Sequence, residues 1–540
     1  MIQRRAVWLL LPILLVYGNP IKAMAAEPVQ ASTAAGVSYI GVKECAACHS
    51  APSPIYQYIG VTRFVRLVEA TEWLKCDKHA YAYELVRKDL TPDQLKHPDR
   101  KSNKLSVEIS QKLRWTKDEF EQKCLTCHVG RNASEDSAKM NTAKLDIEFG
   151  VQCESCHGPG SEYTKVEHHQ QVSWRARTPD QKSELGMWDL TSPSVSAAVC
   201  LSCHLGNIQQ GRFITHDMYA AGHPVLPPFD FQTFLNAMPP HWKTLQEKSI
   251  VSKSAKPKLL QSVQPGRQDL LGFELQAEYN RAHFDTAGTT DEIQHAIKGS
   301  FNKTQRSMIG GLVANDFGIE LVHRAADDPK IWGDYSIYNC VGCHQELKRN
   351  NTQFRTESRT PGRAFPANWL SLDYPAIHVS NQDSHAPLTR EMFASFNAVP
   401  FGDVNRLRQL SDRHLESLQE RMRDRRKAER QVMTKQEVKQ WLAYLLKSRQ
   451  DSLADFWVAK QTAWMVCIAI DELVEHGELA QASVAPMQKE LREALRLDLR
   501  LQQRQSVLDR QKDLLETARS FDAAKCKELM SQLVNTALNP

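Results

Sequence analysis

Five copies of Cys-x-x-Cys-His are spread along this chain of 540 residues. They read CAACH (Cys45, Cys48, His49), CLTCH (Cys124, Cys127, His128), CESCH (Cys153, Cys156, His157), CLSCH (Cys200, Cys203, His204) and CVGCH (Cys340, Cys343, His344). Chance supplies about 0.01 such motifs in a chain of this length and composition. The spacing is that of covalent c-type haem attachment. Two thiols form thioethers to the porphyrin edge, and the adjacent imidazole binds iron from one face. Five such groups constrain the fold strongly. The porphyrins supply much of the apolar core, so the polypeptide needs little regular structure around them. Convincing strand alternation is scarce. The expected class is mainly α, a multihaem cytochrome with little regular strand followed by a C-terminal helical region.

The N-terminus fixes the expected compartment. Arg4 and Arg5 precede a short apolar stretch, Ala6 to Tyr17, and Ala23-Met24-Ala25 offers an A-x-A cleavage site. This pattern is a secretory signal peptide and is too short for a membrane span. Haem attachment outside the bacterial cytoplasm agrees with it. The chain is expected in the periplasm, soluble or peripherally attached to a membrane. Cys76, Cys467 and Cys526 lie outside the motifs. Cys467 falls on an apolar helical stripe and reads as a core residue; a Cys467–Cys526 disulfide is the competing reading. The formal charge of +5 is offset by five haems at about −1 each, so nothing points to a nucleic-acid binder.

Four divisions are expected: a signal peptide at 1–25, a four-haem module at 26–245, a linker and fifth-haem region at 246–400, and a helical region at 401–540. The stretch 247–267 is rich in Ser, Lys and Pro and reads as a linker or surface loop. Further on, Ser452 and Asp455 resemble a capping-box start, and Phe456, Ala459, Ala463, Val466, Ile470 and Leu473 repeat at helical spacing until Gly477. A second helix is predicted from Pro486 to about Ser520. Ala494, Leu501, Leu508 and Leu515 recur on it every seven residues, as in a bundle helix or a coiled-coil contact between subunits. Residues 404–450 are strongly basic, which suits a solvated helix face or a dock for an acidic redox partner.

The second axial position decides the chemistry of each iron. A second histidine closes it for electron transfer, and an open position admits a small ligand. His79, in WLKCDKHAYAY, is the leading distal candidate on a predicted helix with an aromatic flank. One of His168 and His169 is expected to be a ligand. His216 and His223 lie in THDMYAAGHPVL, where Pro224 ends the predicted helix. His241, in MPPHW, is a weaker candidate. For the fifth haem, His283, His295, His323, His378 and His385 are all available. Met218 and Met238 are alternatives better suited to filling an irregular core.

Several segments together resemble the cytochrome c554/c-prime type of multihaem cytochrome. They are CAACH, WLKCDKHAYAY, CLTCH, GVQCESCHGPGSEY, CLSCHLG, THDMYAAGHPVL, FDFQTF, MPPHW and WGDYSIYNCVGCHQEL, across roughly residues 40–347. The resemblance implies haems stacked in close pairs and electron transfer in periplasmic respiration. It implies His79 and His168 as distal ligands to haems other than their sequence neighbours, with His216 and His223 in the haem environment. It also allows one five-coordinate haem, for which the CLTCH haem is the candidate. The fifth motif departs from related chains that read CxxCHH, because Gln345 follows His344.

The resulting expectation is a periplasmic pentahaem electron-transfer protein. Its partners would be other cytochromes or a membrane quinone-linked complex, and its C-terminal helices a possible homo-oligomer contact. The alternative is a multihaem oxidoreductase of small nitrogen or sulfur species with one open-coordinate haem. Its architecture would be similar to pentahaem nitrite reductase, although no Cys-x-x-Cys-Lys motif is present.

Overall fold

The structure is a computed structural model that describes residues 37–50, 67–86, 103–130, 147–169, 174, 177–242, 300–337, 391–392, 394–396, 398, 402–416, 418–429, 431–449, 452–499 and 507–539. The signal peptide, the stretch 247–267, the fifth motif with Gln345, and His283, His295, His378 and His385 lie outside the described residues.

The described residues are mainly helical and form no strand, only an isolated bridge between Asn207 and Arg212. In chain order the first half carries α1 (Val42–His49), α2 (Glu69–Cys76), α3 (Asn103–Lys112), α4 (Lys117–His128), α5 (Cys153–His157), α6 (Pro179–Ser183), α7 (Pro193–His204), α8 (His216–Ala221) and α9 (Phe231–Ala237). The second carries α10 (Asn302–Asp327), α11 (Pro329–Trp332), α12 (Val404–Glu416), α13 (Leu418–Glu429), α14 (Lys435–Arg449), α15 (Phe456–Glu475), α16 (Gln481–Ala494), α17 (Val507–Arg519) and α18 (Ala523–Leu538).

Helix α15 is the centre of the packing. Asp455 starts it by accepting the N–H groups of Trp457 and Val458. Ser452, expected to begin the helix, instead opens a short 3-10 turn, Ser452–Ala454. Every residue from Phe456 to Ile470 is buried, so the expected apolar stripe is one face of a helix covered all round. Its buried polar groups have partners. Lys460 donates to the carbonyls of Leu495 and Arg496, at 2.9 and 2.5 Å. Gln461 donates to Phe229 O. Glu472 accepts the N–H groups of Lys303 and Thr304, both at 2.8 Å, and the Thr304 hydroxyl. That carboxylate does the work of a cap for α10, whose own N-cap position is Phe301. Gly477, in the left-handed region at φ 73°, follows the C-cap of α15.

Helix α10 is long and buried over most of its length, although it falls within the region expected as linker and fifth-haem segment. Gly310 allows the close approach of α9, because a Cβ there would collide with the Phe231 side chain. One apolar core joins Leu201, Phe231, Ile309, Phe317, Trp441, Phe456, Trp464 and Leu533. It therefore spans both expected boundaries, at 245 and at 400. Each large side chain buried there stabilises by roughly 1.5–3 kcal/mol.

The second C-terminal helix is corrected. The predicted helix from Pro486 to Ser520 does not run through. Helix α16 starts earlier, at Gln481, and carries Pro486 inside it. It stops at Ala494, where Leu495 and Leu497 turn into the core and Arg496 takes φ 50°. Burying those two leucines outweighs propagation of the heptad, and Ala494 is left exposed. Cys467 and Cys526 are both free thiols buried in the core, so no bridge joins them.

The basic stretch also differs from a purely solvated face. Arg425 and Arg421 turn inward onto Asp316 of α10, which His414 of α12 also meets at 3.0 Å.

Candidate functional site

Each described motif closes a helix. Helices α1, α4, α5 and α7 end on His49, His128, His157 and His204. Helical spacing explains the arrangement: positions three and four apart share a face, so both thiols and the histidine gather on one side. Local sequence supplies the starts. Thr116 and Glu119 form a capping box at α4. Ser192, with Pro193 in the first turn, starts α7.

Opposite three of these histidines the fold places a second imidazole. His169 faces His49 with ring centres 6.0 Å apart, His79 faces His204 at 6.1 Å, and His241 faces His157 at 6.5 Å. Two imidazoles on either side of one metal, each bound at about 2 Å, have ring centres roughly 6 Å apart. The donor sets therefore fit a haem iron. His128 has no imidazole facing it at this spacing among the described rings. His223 lies within its electrostatic reach, and its own ring packs edge-on to Tyr219.

The Nδ1 atoms of five of these histidines are held, which leaves Nε2 for a metal. Nδ1 of His49 meets Glu69 at 2.9 Å, and that of His79 meets Asp77 at 2.9 Å. Carbonyl groups accept from the others: Ala82 O from His128 at 2.8 Å, Pro224 O from His223 at 2.8 Å and Pro239 O from His241 at 3.4 Å. Burial pulls His157, His204 and His223 down to about 4, which keeps them in the neutral form a metal needs. Burial also acts downward on His79, but Asp77 outweighs it and the net shift is upward.

Three buried side chains tie the motifs together in pairs. Glu154, inside the third motif, accepts the N–H groups of Ile40, Gly41 and Gly160, and Gln152 accepts that of Val42. These bonds join the third motif to the start of α1. Arg212 donates to Thr126 O at 2.9 Å, Gly130 O at 3.1 Å and Ser202 Oγ at 2.7 Å, joining the second motif to the fourth. The thiols repeat the pattern, with Cys45 a close neighbour of Cys153 and Cys127 of Cys203. Cys156 and Cys200 are electrostatic neighbours, which links the third motif to the fourth. Backbone sterics add a further tie. Val151 N–H donates to His79 O at 2.9 Å. Gly150, at φ 62°, lies so close to that carbonyl that a Cβ would collide with it.

The placement of the sequence candidates is mixed. His79 faces a motif histidine far from it in the chain. His168 faces no motif histidine among the described rings: Arg177 donates to its Nδ1 at 3.2 Å, which favours the ring proton on Nε2, the nitrogen a metal would need. Its neighbour His169 takes the facing position instead, packed against Tyr163 and Trp174. Helix α2 ends at Cys76 and a 3-10 segment, Lys78–Leu85, carries His79, so the expected single helix is broken at Asp77. Helix α8 ends one residue before Gly222, with His223 just beyond it. His216 starts α8; its backbone N–H donates to Asp334 and its ring packs edge-on to Tyr335 at 5.6 Å. His323 is buried in α10 with Nδ1 3.3 Å from Ser411 Oγ. Met218 is buried in α8.

Asp77, Glu69, Arg212 and Glu154 carry no motif that singles them out. The sequence signals are positional only: Asp77 lies two residues before His79, and Glu154 lies inside the third motif. No helix among the described residues is long and apolar enough to cross a membrane.

Helices that close on Cys-x-x-Cys-His, with second imidazoles facing the motif histidines, define a c-type haem protein. Residues 44–158 match the family described as cytochrome c554 and c-prime, so that stretch of the chain is similar to this family. The match supports an electron carrier with covalently bound haem iron. Nothing among the curated proteins or the solved structures matches the chain.

Proposed function

We propose that this protein is a periplasmic electron-transfer cytochrome with a haem at each of its five motifs. It would exchange electrons with other cytochromes or a membrane quinone-linked complex. Bound haem supplies one-electron Fe(III)/Fe(II) chemistry. The polypeptide anchors the groups through Cys45, Cys48, Cys124, Cys127, Cys153, Cys156, Cys200, Cys203, Cys340 and Cys343. It ligates them through His49, His128, His157, His204 and His344, and closes three through His169, His241 and His79. The three facing imidazole pairs carry this reading. The contacts between motifs support a spatial order of first, third, fourth and second. His216, beside the segment that leads to the fifth motif, belongs to the haem surroundings in this reading.

A second reading rests on His128, which lacks a facing imidazole at the spacing of the other pairs among the described rings. In that reading the second haem has an accessible face and binds a small nitrogen or sulfur species.

Haem stoichiometry by alkaline pyridine assay and intact mass tests the count; five haems per chain are expected, and four would refute it. Low-temperature EPR of the oxidised protein, with and without nitrite, hydroxylamine or nitric oxide, separates the two readings. Low-spin signals that no ligand perturbs favour the carrier. A high-spin signal that shifts on ligand addition favours chemistry at the second haem. Cell fractionation tests the compartment, and recovery in the cytoplasm would refute export.

A further inference from the structure

Five histidines in and around the motifs make a bond at Nδ1, and the partner differs in charge. His128, His223 and His241 meet backbone carbonyls. His49 and His79 meet carboxylates, and the two carboxylates differ in exposure. The Asp77 side chain is 4% exposed and that of Glu69 is 17% exposed. A carboxylate bonded to the outer nitrogen of a ligating imidazole raises the basicity of the inner one. Its full charge, in a poorly solvated place, also favours the more positive state of a nearby metal. Both effects are stronger where water is excluded.

We propose that Asp77 is a positioning residue that acts through His79 to set the potential of the fourth haem below that of the second, whose motif histidine, His128, meets a carbonyl. Glu69 exerts the same effect on the first haem through His49, weakened by its greater exposure to solvent. The inference rests on His79 as the partner of His204 across the fourth haem. Asp77 has a structural role too, since Oδ1 accepts the His79 N–H at 2.9 Å as an N-cap. An effect of charge must therefore be separated from an effect of fold.

The Asp77→Asn variant does this, because an amide oxygen keeps both acceptor roles while the charge is removed. In spectropotentiometric titration of the fully haem-loaded protein, one haem should move upward by about tenfold in its reduced-to-oxidised ratio, equivalent to 59 mV for one electron. The others should stay in place. EPR should keep that haem low-spin. Glu69→Gln should move a different haem, by less. Asp77→Glu should restore the low potential.

His79→Ala tests the underlying ligation, and one haem should become high-spin. If His79→Ala produces that signal while Asp77→Asn leaves every potential unchanged, Asp77 is an N-cap only and the proposal is overturned. If His79→Ala leaves all haems low-spin, the ligand assignment itself fails. Should Asp77→Asn fail to load haem, Glu69→Gln decides the charge effect: an unmoved first haem overturns it.

Discussion

Replacing Asp316 by Asn would leave two buried or half-buried arginines without their counter-charge and alter the partner of the buried His414. Oδ1 of Asp316 meets His414 Nε2 at 3.0 Å and Arg421 Nη2 at 3.2 Å, and Oδ2 bonds to Arg425. The Asp316 and Arg425 side chains are each 8% exposed and that of His414 is 2% exposed, so water cannot substitute for the carboxylate. Removing one partner of such a buried pair costs about 3–5 kcal/mol, because the other charge remains desolvated. For a cooperative unit of 150–250 residues this corresponds to a fall in Tm of the order of 10 °C. Thermal unfolding of the haem-loaded protein, followed by far-ultraviolet circular dichroism, measures it. The pH profile gives an independent check. Burial acts to raise the pKa of Asp316, but Arg425, Arg421 and His414 outweigh it and hold the carboxyl far below the usual range. The unfolded carboxyl titrates near 3.9, so below that pH the unfolded chain takes up a proton that the folded chain refuses. This contribution to stability is complete above about pH 4 and is lost progressively as pH falls. The variant should lack that part of the acid sensitivity. A loss below about 1 kcal/mol, or an unchanged acid limb, would refute the reasoning by showing that the arginines are hydrated in the folded state.

Further outcomes concern the site and the core. His169→Ala should convert one haem to a high-spin EPR signal, whereas His168→Ala should leave every haem low-spin; the reverse result would place the distal nitrogen on His168. His241→Ala should open the third haem in the same way, and an unchanged spectrum would remove His241 from the ligand set. Lys460 is pulled down to about 7, chiefly by burial, while an unfolded lysine titrates near 10.4. Between those values the unfolded chain binds the extra proton, so stability should rise with pH from about 7 to about 10. Lys460→Met should flatten that slope in denaturant titrations, and an unchanged slope would show that the two carbonyls on the ammonium compensate fully for its burial.

The sequence by itself determined the chemistry of this protein. Cys-x-x-Cys-His is a local device: its residues are covalent neighbours, so the motif carries its meaning wherever the fold places it. Helix α15 was also legible, because a run from Phe456 to Leu473 with Asp455 before it and Gly477 after it has local causes for starting, continuing and stopping. The break between α16 and α17 was not. The heptad favours continuation, and only the core that receives Leu495 and Leu497 favours the turn. The distal imidazoles belong to the same class. His168 and His169 are equivalent to any local argument, and the choice falls to Arg177, which occupies the Nδ1 of one, and to Tyr163 and Trp174, which flank the other. His241 looked weak in the chain because nothing near it in sequence announces His157. Asp77 and Arg212 acquire their roles only once distant segments meet around them. A carboxylate or guanidinium has no fixed meaning until the fold sets its burial and its partners, and those are properties of tertiary structure alone.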